Sequence, residues 1–157
     1  MSNPFIEELL APVSPDQPCG PDLDLEGDPD FLNYLARVEG NLPASFFAQD
    51  AEGHDRPFAG GSFNFKTEIE AGKKFLAQSR DLRVLTYLAI FAAFEQRPDD
   101  FADLVEGLAR LLEARWGEVN PREQGDEFAL RLAAIQPLDD FNLVILPLQF
   151  TPLIRSG

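Results

Sequence analysis

The sequence predicts an all-α fold: a compact bundle of antiparallel helices with a proline-rich extended N-terminal connector and an irregular C-terminal segment. Three observations carry this reading. Apolar side chains recur at helical spacing through most of Phe63 to Ile135. The candidate helices are punctuated by capping residues and prolines, as at Asn3-Pro4, Asp28-Pro29, Asp81 and Arg97-Pro98. The 157 residues are 45% apolar and 25% charged, which suits one domain with a continuous core and excludes wholesale disorder.

Asn3-Pro4 reads as an N-cap and a first helical position, opening a short helix to about Ala11 with Phe5, Ile6, Leu9 and Leu10 buried. From Pro12 to Pro21 four prolines remove backbone donors and restrain their predecessors, giving a stiff, extended connector. Asp28-Pro29 starts a second helix with Phe31, Leu32, Leu35 and Val38 at helical spacing and Gly40 as its stop. Residues 41–62 lack periodicity and read as a long loop holding the lone His54. The body opens with a helix marked by Phe65, Ile69, Gly72, Phe75 and Leu76. Asp81 caps the next, which is apolar nearly all round from Leu82 to Phe94 and should be central. Phe101, Leu104, Val105, Leu108, Leu111 and Leu112 then form one face of an amphipathic helix that Asn120-Pro121 ends. Asp126 to Ile135 predicts a shorter helix with Phe128, Leu132 and Ile135 inward. Asp139-Asp140 caps a last short helix to Leu146, with Pro147 and Pro152 stopping it. The expected organisation is a single domain over 1–157: an acidic proline-rich region (1–62), a helical body (63–136) and an apolar tail (137–157) leading into a further C-terminal region.

Charge is uneven. Residues 1–60 carry 12 acidic and 2 basic side chains against 15 and 11 in residues 61–157, so −10 of the −14 net charge lies in the front. That balance argues against nucleic acid and against direct membrane insertion, as does the longest apolar run, Leu143 to Ile154, at 12 residues. Met1 to Pro12 lacks the basic start and apolar stretch of a secretory signal, so a cytoplasmic location is expected. One Cys and one His exclude an internal disulfide and a zinc-finger ligand set.

Catalytic motifs find little support. Asp22, Asp24 and Glu26 with Gly27 match the first positions of a calcium loop, but Asn33 stands where the bidentate Glu is needed and Pro29 at the apolar position. The plainer reading is a solvated acidic loop feeding a helix N-terminus. Cys19 and His54 are the one available thiol–imidazole pair, with no sequence feature that joins them. Gly60-Gly61 lacks the Lys-Ser/Thr of a phosphate loop. No cofactor, metal or catalytic residue is therefore expected. Two clusters stand out instead: Ser79-Arg80-Asp81-Leu82-Arg83-Val84 at a helix junction, and Arg115-Trp116-Gly117-Glu118-Val119-Asn120-Pro121, where Trp116 reads as core.

In order along the chain, these clusters resemble the ImpA N-terminal family, found at the front of TssA-type proteins of the bacterial type VI secretion system. The family's Pro-Ile-Ser-Pro-Asp-x-Pro-Cys-Gly-x-Asp-Leu is matched by Pro12 to Leu23, including Pro18, Cys19 and Gly20. Asp28-Pro-Asp-Phe-Leu32, Ser79 to Val84 and Arg115 to Pro121 match three further blocks. The resemblance spans about Leu9 to Ile135, with Asn120 where the family commonly has His. It implies a cytoplasmic, non-catalytic scaffold that binds other secretion components, baseplate or tail proteins, and helps assemble the baseplate and contractile tail. It also implies that oligomerisation belongs to regions beyond residue 157. Asp22, Asp24, Glu26, Asp28 and Asp30 are the candidate interaction surface, where an acidic face would meet a basic partner. The alternatives are a generic helical peptide-binding module and, behind it, a carboxylate-based enzyme.

Overall fold

The computed structural model describes residues 3–58, 61, 63–122, 125 and 128–152. Helix α1 (Pro4–Leu10) starts under the Asn3 side chain, which accepts from Phe5 N at 2.9 Å. Helix α2 (Pro29–Asn41) starts under Asp28, whose carboxylate accepts from Phe31 N at 2.9 Å. It runs through Gly40 instead of stopping there. Leu42 ends it in an extended conformation because Pro43 follows and disfavours helix at its predecessor.

The expected loop of 41–62 contains a small antiparallel hairpin, β1 (Phe47–Gln49) with β2 (Asp55–Pro57). Asp50 makes its turn, its carboxylate accepting from the backbone N–H of Glu52 and His54 and from Arg56 Nε at 2.9 Å. Apolar anchors fasten the hairpin to the bundle: Phe46 is buried and Phe58 N donates to Phe46 O at 2.7 Å.

Helices α3 (Phe65–Gln78), α4 (Leu82–Phe94) and α5 (Pro98–Arg115) form the body, as their periodicity predicts. Helix α4 is buried along almost its whole length and touches α3, α5 and the C-terminal elements. Phe91 and Phe94 on it anchor a ring cluster with Phe46, Phe58, Phe63 and Phe65, centroids 5.3–6.0 Å apart across each pair. Helix α1 crosses α5 at Gly107, where an added Cβ would lie 3.0 Å from the Leu9 side chain.

Helix α6 (Ala129–Ile135) is the main departure. The expected start at Asp126 lies outside the described residues. Within them the expected face is reversed: Arg131 and Ala134 are buried, whereas Phe128 and Leu132 are exposed and Ile135 is only partly covered. A 3₁₀ turn follows (Gln136–Asp139), then a π turn (Phe141–Ile145) under the Asp140 cap that continues into α7 (Leu146–Gln149). Pro147 therefore sits inside a helical segment that it was expected to stop. Leu146 N donates to Phe141 O in the π pattern, and the next carbonyl, Asn142 O, would need the N–H that Pro147 lacks. Phe46 N supplies a donor to that oxygen at 3.1 Å, tying the hairpin to the tail. Leu153 and Ile154, the end of the apolar run, lie outside the described residues. Among the described residues no helix is long and apolar enough to cross a membrane.

Candidate interaction surface

The four motif blocks converge on the junction between α3 and α4. After α3 the chain turns at Ser79, and Arg80 N donates to Cys19 O at 2.7 Å. Asp81 and Asn120 pair side by side: Asn120 N donates to Arg80 O at 3.0 Å and Leu82 N to Asn120 O at 2.9 Å. The fully buried Asn120 amide donates to Pro21 O at 2.9 Å and lies within 2.8 Å of Ser79 Oγ. It thus joins the connector, the α3–α4 junction and the segment after α5, regions up to about a hundred residues apart. Gly20 fits because it has no side chain. Its φ is +73° and a Cβ there would lie 2.0 Å from Gln78 O.

Arginines close the ends of the elements. Buried Arg80 donates to the carbonyls of Glu8, Leu9 and Ala11, at the last turn and exit of α1, and to Leu76 O at the end of α3. Burial pulls its guanidinium below the ordinary arginine value. Four carbonyl dipoles oppose that loss of hydration. Arg131 does the same for α5, donating to Trp116 O, Val119 O and Pro121 O, with its guanidinium 5.0 Å from the Trp116 ring centroid. Trp116, expected in the core, is 42% exposed and packs at a tilt beside Phe128. Arg83 pairs with Asp81 at 2.8 Å and with Asp24 at 2.5 Å. Burial works against its charge, but hydrogen bonds and attraction from Asp81 and Asp24 outweigh it and hold Arg83 above its ordinary value. Leu82, between them, is wholly buried.

The acidic segment divides into two kinds of residue. Asp22 is buried and accepts from Leu25 N and from Arg122 N at 2.8 Å. Asp24 holds Arg83 and Asp28 caps α2, so these three carboxylates have internal roles. Glu26 and Asp30 are exposed and, among the described residues, their side chains have no partner. Leu25, between Asp24 and Glu26, is 68% exposed.

Other chemistry is less organised. Cys19 is buried, and its thiol is pushed up first by burial and then by the Glu118 charge, away from a reactive thiolate. His54 is exposed on the hairpin turn, where Asp50, Glu52 and His54 bring one ligand atom each within 4.8 Å of one another. The Asp50 carboxylate there is already occupied by backbone donors and Arg56. A groove of about 160 Å³ among α1, α3, α4 and α5 is lined by Phe5, Ile69, Leu88 and Leu104 with Lys73 and Asp103. It is smaller than the roughly 300–1,000 Å³ of ordinary small-molecule sites. A wider cleft of about 950 Å³ lies at the α4–α5 turn, where Arg97 already pairs with Glu95 and Asp100.

Arg122 and Arg131 lie outside the four motif blocks, and Asn120 stands within one that does not disclose its distant partners. Asn120 carried a signal, since an Asn before Pro121 closes a family block. Arg131 carried none, because local periodicity cannot say that a side chain reaches carbonyls 10–15 residues back.

A protein-family model described as ImpA, N-terminal, type VI secretion system, matches residues 10–140. The chain belongs to the ImpA N-terminal family. The matched span contains all four blocks that meet at the α3–α4 junction. No similar chain was found among curated proteins or among solved structures.

Proposed function

We propose that this ImpA N-terminal domain is a non-catalytic scaffold of a TssA-like type VI secretion component, acting in the bacterial cytoplasm. Its partners are other secretion components, baseplate or tail proteins, and its role is to help baseplate and contractile-tail assembly through protein–protein contacts. One observation carries the reading: the polar side chains of the family blocks are directed at the chain's own backbone and at one another. Ser79, Arg80, Asp81, Arg83 and Asn120 hold elements together, so the motif preserves a shape. A shape held that rigidly suits recognition, with the surface free to define the partner. The acidic front supplies charge for steering a basic partner face. Of its five carboxylates, Glu26 and Asp30 are the two that hold no other group among the described residues.

Binding of the chain to purified baseplate and tail components tests the reading. The double variant Glu26→Lys, Asp30→Lys should stay folded, with a small fall in melting temperature because Asp30 lies in the first turn of α2, and lose roughly tenfold or more in association rate at low salt. Unchanged binding to every component by the folded variant would remove the acidic surface from the proposal. No binding by the parent chain would remove the scaffold role.

A further inference from the structure

Helix α6 turns its charge inward and its apolar side chains outward. Arg131 and Ala134 are buried, while Phe128, Ala129, Leu130, Leu132 and Ala133 are exposed. Trp116 extends this face, its ring centroid 5.0 Å from that of Phe128. We propose that this face is the contact through which two copies of the chain associate as a two-fold dimer. The inference is independent of the secretion reading, and it departs from the expectation that oligomerisation lies beyond residue 157.

Area supports a second copy as the occupant. Trp116, Phe128, Leu130 and Leu132 retain 42, 53, 55 and 63% of their surface. Large apolar side chains present about 150–250 Å² when open, so these four offer roughly 100 Å² each. Two copies together would bury roughly 800 Å² from these side chains alone. Ala129, Ala133 and the flanking backbone bring the total near the roughly 1,000 Å² that a specific interface needs. An apolar patch of this size is often functional.

Charge and shape point the same way. Two chains of net charge −14 repel unless they meet where carboxylates are absent. The stretch Phe128–Ala133 has none, and its one ion faces inward. Ala129 and Ala133 lie one turn apart, a shallow strip flanked by Phe128 and Leu132 on one side and Leu130 on the other. A strip and ridge on the same surface is self-complementary, as a two-fold contact requires.

Sedimentation velocity of the 157-residue chain tests this. A reversible dimer is expected, with a dissociation constant of roughly 1–100 µM, and it should tighten as salt screens the like charges. Leu132→Glu should sediment as a monomer with an unchanged circular dichroism spectrum and melting temperature. Ala129→Glu is the second variant should the first fail to fold. Leu25→Glu, on the acidic segment, should dimerise like the parent. A parent chain that stays monomeric at about 1 mM overturns the proposal and leaves the face to a different partner. So does dimerisation of folded Leu132→Glu or Ala129→Glu at parental strength, or a dimer that dissociates with added salt.

Discussion

At the scale of residues, two glycines separate conformational strain from steric exclusion. Gly20 and Gly27 both have left-handed backbone, φ +73° and +70°, but only Gly20 has an atom in its way. Gly27→Ala should cost about 1 kcal/mol, the left-handed penalty alone. Gly20→Ala adds a backbone oxygen at 2.0 Å from the new carbon, and the connector must leave the α3–α4 junction. Urea unfolding should give a loss of about 3 kcal/mol or more for Gly20→Ala. Near-equal losses would mean that the junction tolerates displacement. Tyr34 offers the opposite case. Among the described residues its hydroxyl is buried without a hydrogen-bond partner, and burial, then the Glu68 charge, push its pKa well up. The folded state therefore keeps a proton that the unfolded chain releases above about pH 10. Because the unfolded state binds fewer protons there, stability falls as pH rises through that range. Tyr34→Phe should be neutral or gain about 1 kcal/mol at pH 7. Its stability should also decline less between pH 9 and 11 (about one unit either side of the free tyrosine value). A loss at neutral pH would show that the hydroxyl has a favourable role in the fold.

At the scale of elements, legibility followed the range of the forces. Helices α1 to α5 are legible because each carries a local start signal and its own apolar positions: Asn3, Asp28, Asn64 and Asp81 each accept from a backbone N–H within three residues, and α5 opens on Pro98 without a side-chain cap. Helix α6 departs from its apolar pattern because its orientation depends on Arg131 reaching Trp116, Val119 and Pro121, a distant demand that overrides the rule that apolar faces turn inward. Pro147 is tolerated inside a helical segment because Phe46 N, about a hundred residues away in sequence, replaces its missing donor. The site was legible as motif residues, but Asn120 as their meeting point was not, since its partners lie far away in sequence. The hairpin leaves little trace in the sequence because three-residue strands cannot display an alternation, although Asp50 and Gly53 mark its turn. That turn should respond to acid. Hydrogen bonds from His54 N and then Arg56 hold the Asp50 carboxyl below its ordinary value. A lowered acid pKa stabilises the turn above the unfolded-state value, and the contribution is lost as pH falls through the folded value. Amide exchange across residues 47–57 should therefore quicken below about pH 4 relative to the bundle. Asp50→Ala should quicken it at neutral pH with little change in overall melting temperature, because the carboxylate serves the turn alone.

At the scale of the molecule, an acidic chain keeps arginines in its interior. The fold places Arg80 and Arg131 among carbonyls while most carboxylates face water, and the buried Glu68 is held by Arg37 at 2.8 and 3.0 Å. Arg80 makes α1 indispensable: three of its acceptors, Glu8 O, Leu9 O and Ala11 O, belong to that helix and its exit. Removing residues 1–11 would leave a buried guanidinium with only Leu76 O, open the face of α5 at Gly107 and free the connector that Asn120 grips. Leaving a buried charge uncompensated costs about 3–5 kcal/mol, a large part of a domain's whole stability. The front region should thus be part of one cooperative unit despite its proline-rich sequence. Urea transitions followed by far-ultraviolet circular dichroism, which reports all helices, and by fluorescence of Trp116 at the α5–α6 corner should coincide in the intact chain. The chain lacking residues 1–11 should lose a sharp transition altogether. Transitions that separate in the intact chain, or a shortened chain that melts as sharply as the parent, would place α1 and the connector outside the cooperative core and make Arg80 a local clasp.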